Sequence, residues 1–172
     1  HKSEAQQQTN EQQKELLAVL NRLKGLAQRQ QDINERVKEL QNAIEEAKTE
    51  KEREEARRQL KRLREEEQQL LADADELRQK LEKNENQSRF ADERKQLEQT
   101  RNDAQQAAES MQKGESSRAL AEGKRAEEGF KKMRDDLRKK ASGQFKDEMR
   151  QMRTDARDLA QVGEYVETYR YD

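Results

Sequence analysis

The sequence has no cysteine, proline or tryptophan, and aromatic residues make up only 3% of its 172 residues. Without cysteine, the chain has no disulfide, no thiolate nucleophile and no cysteine-ligated metal. The single histidine is His1, so a metal site built on paired imidazoles is also excluded. No apolar run approaches the roughly 20 residues that a membrane-spanning helix needs. We therefore expect no metal, no cofactor, no transmembrane segment and no enzyme active site.

The charge is nearly balanced, with 37 basic and 38 acidic residues and a formal net charge of -1. The whole molecule therefore lacks a long-range attraction for nucleic acid or an anionic membrane. Charged residues make up 44% of the chain and hydrophobic residues only 29%, too few for a thick globular core. Disorder or long helices with narrow apolar seams are the two classes that fit. The apolar residues recur periodically among good helix formers, which favours helices.

The clearest pattern lies between Ala56 and Leu81, where apolar residues recur at alternating steps of three and four. This is a heptad seam, interrupted only at Glu67. One narrow stripe on a charged helix needs a second helix to cover it. Similar spacing before and after this stretch predicts the seam residues Leu16, Leu20, Leu23, Ile33, Val37, Leu40, Ile44, Leu60, Leu63, Leu70, Leu77, Leu81, Phe130, Met133, Leu137, Phe145, Met149 and Met152.

The same spacing predicts the organisation of the chain. Residues 1–10 are polar and are expected to fray. Residues 11–84 are interpreted as a first helical hairpin with a break near 48–50, where Thr49 and Glu52 match a capping box. A single continuous helix through this charged stretch is the alternative. Residues 88–162 form the second predicted hairpin, with a turn near 113–117 and room for a kink near 142–143.

The C-terminal segment, residues 163–172, differs from the rest because it holds Tyr165, Tyr169 and Tyr171, the only tyrosines of the chain. We interpret it as a tail that contacts another chain or leads into a following domain. The chain also begins without an initiator methionine, so we expect it to be a mature or excised piece of a longer protein.

Two candidate sites lie in the second hairpin. Residues 124–140 are locally basic, but acidic residues are placed to pair with the bases along the helix, so nucleic acid is not the expected partner. Phe130, Met133, Phe145, Met149 and Met152 form a stripe of flexible apolar side chains. Such a stripe is most often helix core, and the alternative is a face that docks a partner helix or a lipid surface.

The stretch from Leu23 to Leu63 and the small-residue pattern Ala104, Ala108, Met111, Gly114, Ala119 and Ala126 resemble the Gln-, Glu- and Arg-rich helical regions of large bacterial envelope proteins. In those proteins the helices follow an N-terminal membrane anchor. The resemblance implies a location in a bacterial cell envelope. It implies no functional residue, because none is assigned at these positions.

Together these patterns predict an all-α protein of about four long antiparallel helices, arranged as elongated hairpins or a coiled-coil bundle. The predicted function is structural: a spacer or scaffold that assembles with itself or with another coiled-coil protein, with no small-molecule substrate. A helical binding module that uses the Phe130–Met152 stripe is the alternative.

Overall fold

The computed structural model of the chain describes residues 3–83 and 85–171, with side chains described up to residue 163. It contains four α-helices: α1 (Glu4–Glu46), α2 (Glu50–Glu82), α3 (Ala91–Gln112) and α4 (Ser116–Tyr171). None of the described residues lies in a β-strand. The predicted all-α class is therefore confirmed.

Helix α1 begins earlier than the sequence pattern predicted. The side chain of Ser3 accepts a hydrogen bond from the Gln6 backbone N–H at 3.2 Å, which satisfies one of the free donors of the first turn. The polar residues that follow are helical from Glu4. Their exposure shows that capping and helix propensity, rather than burial, set the start of this helix.

The break between α1 and α2 lies at Ala47, Lys48 and Thr49. Thr49 Oγ1 accepts a hydrogen bond from the Glu52 N–H at 3.1 Å, and the Glu52 carboxylate accepts one from the Lys48 N–H at 3.1 Å. This is a variant of the capping box, because the carboxylate bonds to the residue before the cap rather than to the cap itself. The chain thus forms two helices here rather than one.

The turn between α3 and α4 depends on Gly114, the one described residue with positive φ (73°). The Gly114 N–H bonds to the Met111 carbonyl, and the Glu115 N–H bonds to the Ser110 carbonyl. This pair of bonds is a Schellman motif, which ends a helix with a residue in the left-handed conformation. The predicted turn near 113–117 corresponds to this motif.

Cross-helix pairs show that sequential helices run antiparallel. Between α1 and α2, Arg22 pairs with Glu76 and Arg36 pairs with Glu66. Higher residue numbers in α1 thus pair with lower residue numbers in α2. The same reversed order links α1 to α4, through Asn34 with Glu127 and Gln41 with Ser117. Between α2 and α3, Arg101 binds the Asp75 carboxylate through two nitrogens. The α1, α2 and α3 helices and the start of α4 therefore form an antiparallel bundle.

The chain divides into two compact units, residues 1–137 and residues 138–172. The helices of both predicted hairpins contribute to the first unit. Helix α4 continues as a helix through Ser142 and Gly143, the position at which the sequence allowed a kink. The core of the first unit is a continuous set of Leu, Ala, Val, Ile, Met and Phe side chains. The second unit is helical as far as Tyr171.

Candidate functional site

Most of the predicted seam residues lie inside the first unit. The buried ones are Leu16, Leu20, Leu23, Ile33, Val37, Leu60, Leu63, Leu70, Leu77, Leu81, Phe130, Met133 and Leu137. Leu40 and Ile44, near the end of α1, are only half-buried. The buried residues hold the bundle together and are not available to a partner.

The structure divides the Phe and Met stripe at Leu137. Phe130 and Met133 are fully buried, whereas Phe145 is 61% exposed, Met149 37% and Met152 65%. Leu159 continues the exposed part and is itself 73% exposed. We call the exposed set Phe145, Met149, Met152, Ala156 and Leu159 the α4 stripe. It is the part of the predicted docking face that remains accessible.

The α4 stripe follows a heptad pattern. With Met149 and Ala156 at position a, the d positions are Phe145, Met152 and Leu159. The flanking charges follow the same frame, because Glu148 falls at position g and Arg153 at position e. Residues at e and g flank the seam of a coiled coil and set the orientation of its partner.

The tail prediction falls on residues whose side chains the structure does not describe. Tyr165, Tyr169 and Tyr171 therefore lie outside the described side chains, and Asp172 lies outside the described residues altogether. The tail contact remains a prediction from sequence.

A second feature is a polar cluster between the helices of the bundle, formed by the buried residues Gln30, Asn34 and Glu67 and by Glu127, which is half-buried. Gln30 Nε2 donates to Glu67 Oε1 at 2.7 Å and to Asn34 Oδ1 at 3.0 Å. Asn34 Nδ2 donates to Glu127 Oε1 at 3.0 Å. The cluster thus links α1 to both α2 and α4.

The two carboxyl groups of this cluster have opposite properties. Burial raises the pKa of Glu67 to about 7, although the hydrogen bond from Gln30 and the charge of Arg29 favour its ionised form. Burial also opposes ionisation of Glu127, but hydrogen bonds from Lys131 and Asn34 outweigh it and hold the pKa of Glu127 below its usual value. Lys131 Nζ lies 2.7 Å from Glu127 Oε2.

A pair of carboxyl groups with separated pKa values is a common arrangement of acid–base catalysis. Here Glu67 and its partner Gln30 are both 0% exposed, so Glu67 is closed to solvent in the folded bundle. The cluster is therefore part of the packing between helices. In the sequence, Glu67 interrupts the seam of α2, and Gln30 stands at seam spacing between Leu26 and Ile33 of α1. Asn34 and Glu127 carried no such signal, because polar residues of this kind fill most of the exposed positions.

A surface groove of about 550 Å³ lies between α2 and α3. Its lining includes Asp75 and Arg101, which bind each other, and the remainder is a mixture of amide, charged, alanine and leucine side chains. It has no convergent polar groups around an apolar pocket, the arrangement that typifies small-molecule sites. The groove therefore does not indicate a ligand.

Within the described residues, no group of His, Asp and Glu side chains is arranged to hold a metal ion. None of the helices, over the same residues, is long and apolar enough to cross a membrane. The α4 stripe is therefore the main candidate for a functional surface.

Comparison with known proteins gives no match: no protein-family model, no curated protein and no solved structure is similar enough to this chain to count as one. Its function has to follow from its own residues.

Proposed function

We propose that this protein is a non-enzymatic scaffold whose α4 stripe pairs with the α4 stripe of a second copy. The observation that carries the proposal is the exposure of large apolar residues at heptad spacing, in particular Phe145, Met152 and Leu159. Scattered exposed apolar residues are common on protein surfaces, but a regular stripe along one helix is typical of an interaction site. The antiparallel bundle then serves as the folded body that the pairing assembles.

The segment has the length and composition that a short coiled coil requires. From Ala141 to Gly163 it spans 23 residues, or about 35 Å at 1.5 Å per residue. Burying a Leu, Met or Phe side chain contributes roughly 1.5–3 kcal/mol. Four such residues in each copy can offset an association cost of about 4–15 kcal/mol. A second copy supplies a stripe of matching length.

The flanking charges favour a parallel, in-register pair. In that arrangement position g of one helix faces position e of the next heptad in its partner. Glu148 of each copy then faces Arg153 of the other, which gives two opposite-charge contacts. The remaining g and e positions along the segment place Asp155 opposite Ala160 and Ala141 opposite Lys146, without like-charge contacts.

An antiparallel pair with full overlap places the same charges unfavourably. Layers of a against d residues then bring Met149 opposite Leu159 and Ala156 opposite Met152. In this register Arg153 faces Arg153 of the other copy, and Asp155 faces Asp155. Exposed charge contacts contribute only about 0.2–1 kcal/mol each, but they differ in sign between the two arrangements and so select between them.

Light scattering coupled to small-angle X-ray scattering over a range of concentrations tests the pairing. We expect a dimer whose dissociation moves to higher concentration in the variant Met152→Glu with Leu159→Glu. The matched control is Thr154→Glu with Gln161→Glu, which adds the same charge at position f, opposite the stripe, and should leave the mass unchanged. A chain that is monomeric at all concentrations would exclude self-pairing; binding of that monomer to liposomes would then favour the lipid alternative.

The orientation can be tested with single cysteines, since the natural chain has none. Met149→Cys and Leu159→Cys should each form a disulfide with its own kind in a parallel pair. In an antiparallel pair, cross-linking should occur only when the two variants are mixed. The second result would refute the parallel arrangement while leaving self-association intact.

A further inference from the structure

Glu67 occupies an apolar seam of α2 and lies fully inside the bundle. Gln30 Nε2 donates to one of its carboxyl oxygens, Oε1. The other oxygen, Glu67 Oε2, and the amide oxygen Gln30 Oε1 are both buried and receive no hydrogen bond from the described residues. Leaving a buried acceptor without a donor is unfavourable, because the oxygen has lost its hydrogen bonds to water. Glu67 and Gln30 are hydrogen-bonded to each other and each has one such oxygen, so a single cause can account for both.

The two orphan oxygens become partners if Glu67 carries a proton. A protonated carboxyl group offers one donor and one acceptor, which match the acceptor and donor of a primary amide. An ionised carboxylate only accepts hydrogen bonds, so it would leave Glu67 Oε2 and Gln30 Oε1 without a donor. We propose that Glu67 is a neutral carboxylic acid in the folded bundle, that its O–H donates to Gln30 Oε1, and that loss of this proton destabilises the bundle.

The groups around Glu67 do not replace this proton. On α1, Arg29 attracts the ionised form of Glu67, but it is itself bound to Asp73 of α2. On α4, Glu127 is held by Lys131 and Asn34. On α3, Ala108 lines the groove beside Arg64, Gln68 and Leu71 of α2, and it is buried.

Charged residues also lie nearby on α3 and α4. Asp103 of α3 interacts with Arg125 and Glu122 of α4, and burial raises the pKa of Asp103. Lys124 of α4 interacts with Glu127. None of these residues supplies a hydrogen bond to Glu67 Oε2 or Gln30 Oε1 among the described contacts.

The sign of the expected pH dependence follows from the two states of Glu67. Its pKa is about 7 in the folded chain and 4.5 in its ordinary environment. The folded state therefore binds this proton more tightly, so its stabilising effect is complete below pH 4.5 and is lost as pH rises through 7. The difference of 2.5 pKa units corresponds to an increase of about 300-fold in the unfolding equilibrium constant.

Urea denaturation at pH 5 and pH 8.5, at one protein concentration, tests the proposal with the variant Glu67→Gln. The new amide can donate to Gln30 Oε1 and accept from Gln30 Nε2, but it does not titrate. We expect the wild-type unfolding constant to rise by about 75-fold between the two pH values, relative to the variant. The neighbouring variant Glu66→Gln, which changes an exposed partner of Arg36, should behave like the wild type.

Nuclear magnetic resonance of the Glu67 side-chain carboxyl carbon provides a second measurement that needs no substitution. The resonance should titrate near neutral pH in the folded wild type. A Glu67 that is ionised at pH 5.5, or a Glu67→Gln variant that keeps the full pH dependence, would overturn the proposal. The experiment is independent of self-association, which is measured by mass.

Discussion

The same substitution, glycine to alanine, should have opposite effects at two helical positions of the bundle. A Cβ atom at Gly25 of α1 would meet nothing within 4 Å. A Cβ atom at Gly123 of α4 would lie 2.2 Å from Asn34 Oδ1 and 3.1 Å from Asn34 Cγ. Gly123 therefore admits the side chain of Asn34, whereas Gly25 only weakens its helix.

Whether alanine raises or lowers the free energy of unfolding at each position depends on the balance between helix propensity and packing. Alanine is about 0.8–1.0 kcal/mol more favourable than glycine inside a helix, so Gly25→Ala should raise the free energy of unfolding by up to about 1 kcal/mol. At Gly123 the same gain is opposed by overpacking, about 1–3 kcal/mol. Displacing Asn34 also breaks its bonds with Gln30 and Glu127, at about 0.5–1.5 kcal/mol each. We expect Gly123→Ala to destabilise the bundle by about 2–4 kcal/mol.

Urea denaturation followed by circular dichroism measures both variants, and a double-mutant cycle with Asn34→Ala identifies the cause. Asn34→Ala alone should destabilise the bundle, because it removes the same hydrogen bonds. Added to Asn34→Ala, however, Gly123→Ala should be neutral or stabilising, because the Asn34 atoms that crowd the new Cβ are gone and only an ordinary contact with Gln30 remains. If Gly123→Ala stabilises the wild type as Gly25→Ala does, that result would contradict the close packing of the Asn34 side chain against Gly123.

Two further predictions concern the seam and the helix break. Leu70→Asp or Leu63→Asp should unfold the bundle, because truncating a buried leucine alone costs about 2–5 kcal/mol and each variant also buries a charge. Loss of the helical circular dichroism signal would show the unfolding. Full retention of that signal would contradict the assignment of these leucines to the seam. Phe145→Asp, on the exposed stripe, is the matched control and should keep the bundle folded. Thr49→Ala should lower stability by about 1 kcal/mol through loss of the α2 cap, and an unchanged urea midpoint would contradict that role.

The sequence predicted the helices well where apolar spacing or capping chemistry was regular. The leucines of α2 identify its buried face directly, and Thr49 with Glu52 identifies the start of that helix. Gly114 likewise marks the end of α3, because a residue in the left-handed conformation favours glycine. These signals are local, so they can be read from a few neighbouring residues.

The polar cluster could not be predicted in the same way, because it depends on which helices become neighbours. Gln30 and Glu67 appear in sequence only as interruptions of two seams. Their pairing follows from the antiparallel register of α1 and α2, and the addition of Asn34 and Glu127 follows from the approach of α4 at Gly123. A polar residue in a seam can indicate a partner, but the sequence does not identify that partner.

The α4 stripe shows why spacing alone could not predict exposure. From Met149 the apolar residues of α4 resume heptad steps, as the leucines of α2 do. The leucines of α2 are buried, whereas Met152 and Leu159 of α4 are 65% and 73% exposed. Spacing indicates that a helix carries an apolar stripe, but burial depends on whether a neighbouring helix covers that stripe. The self-pairing that we propose would cover the α4 stripe with a second copy, and in the parallel orientation it would bring Glu148 opposite Arg153.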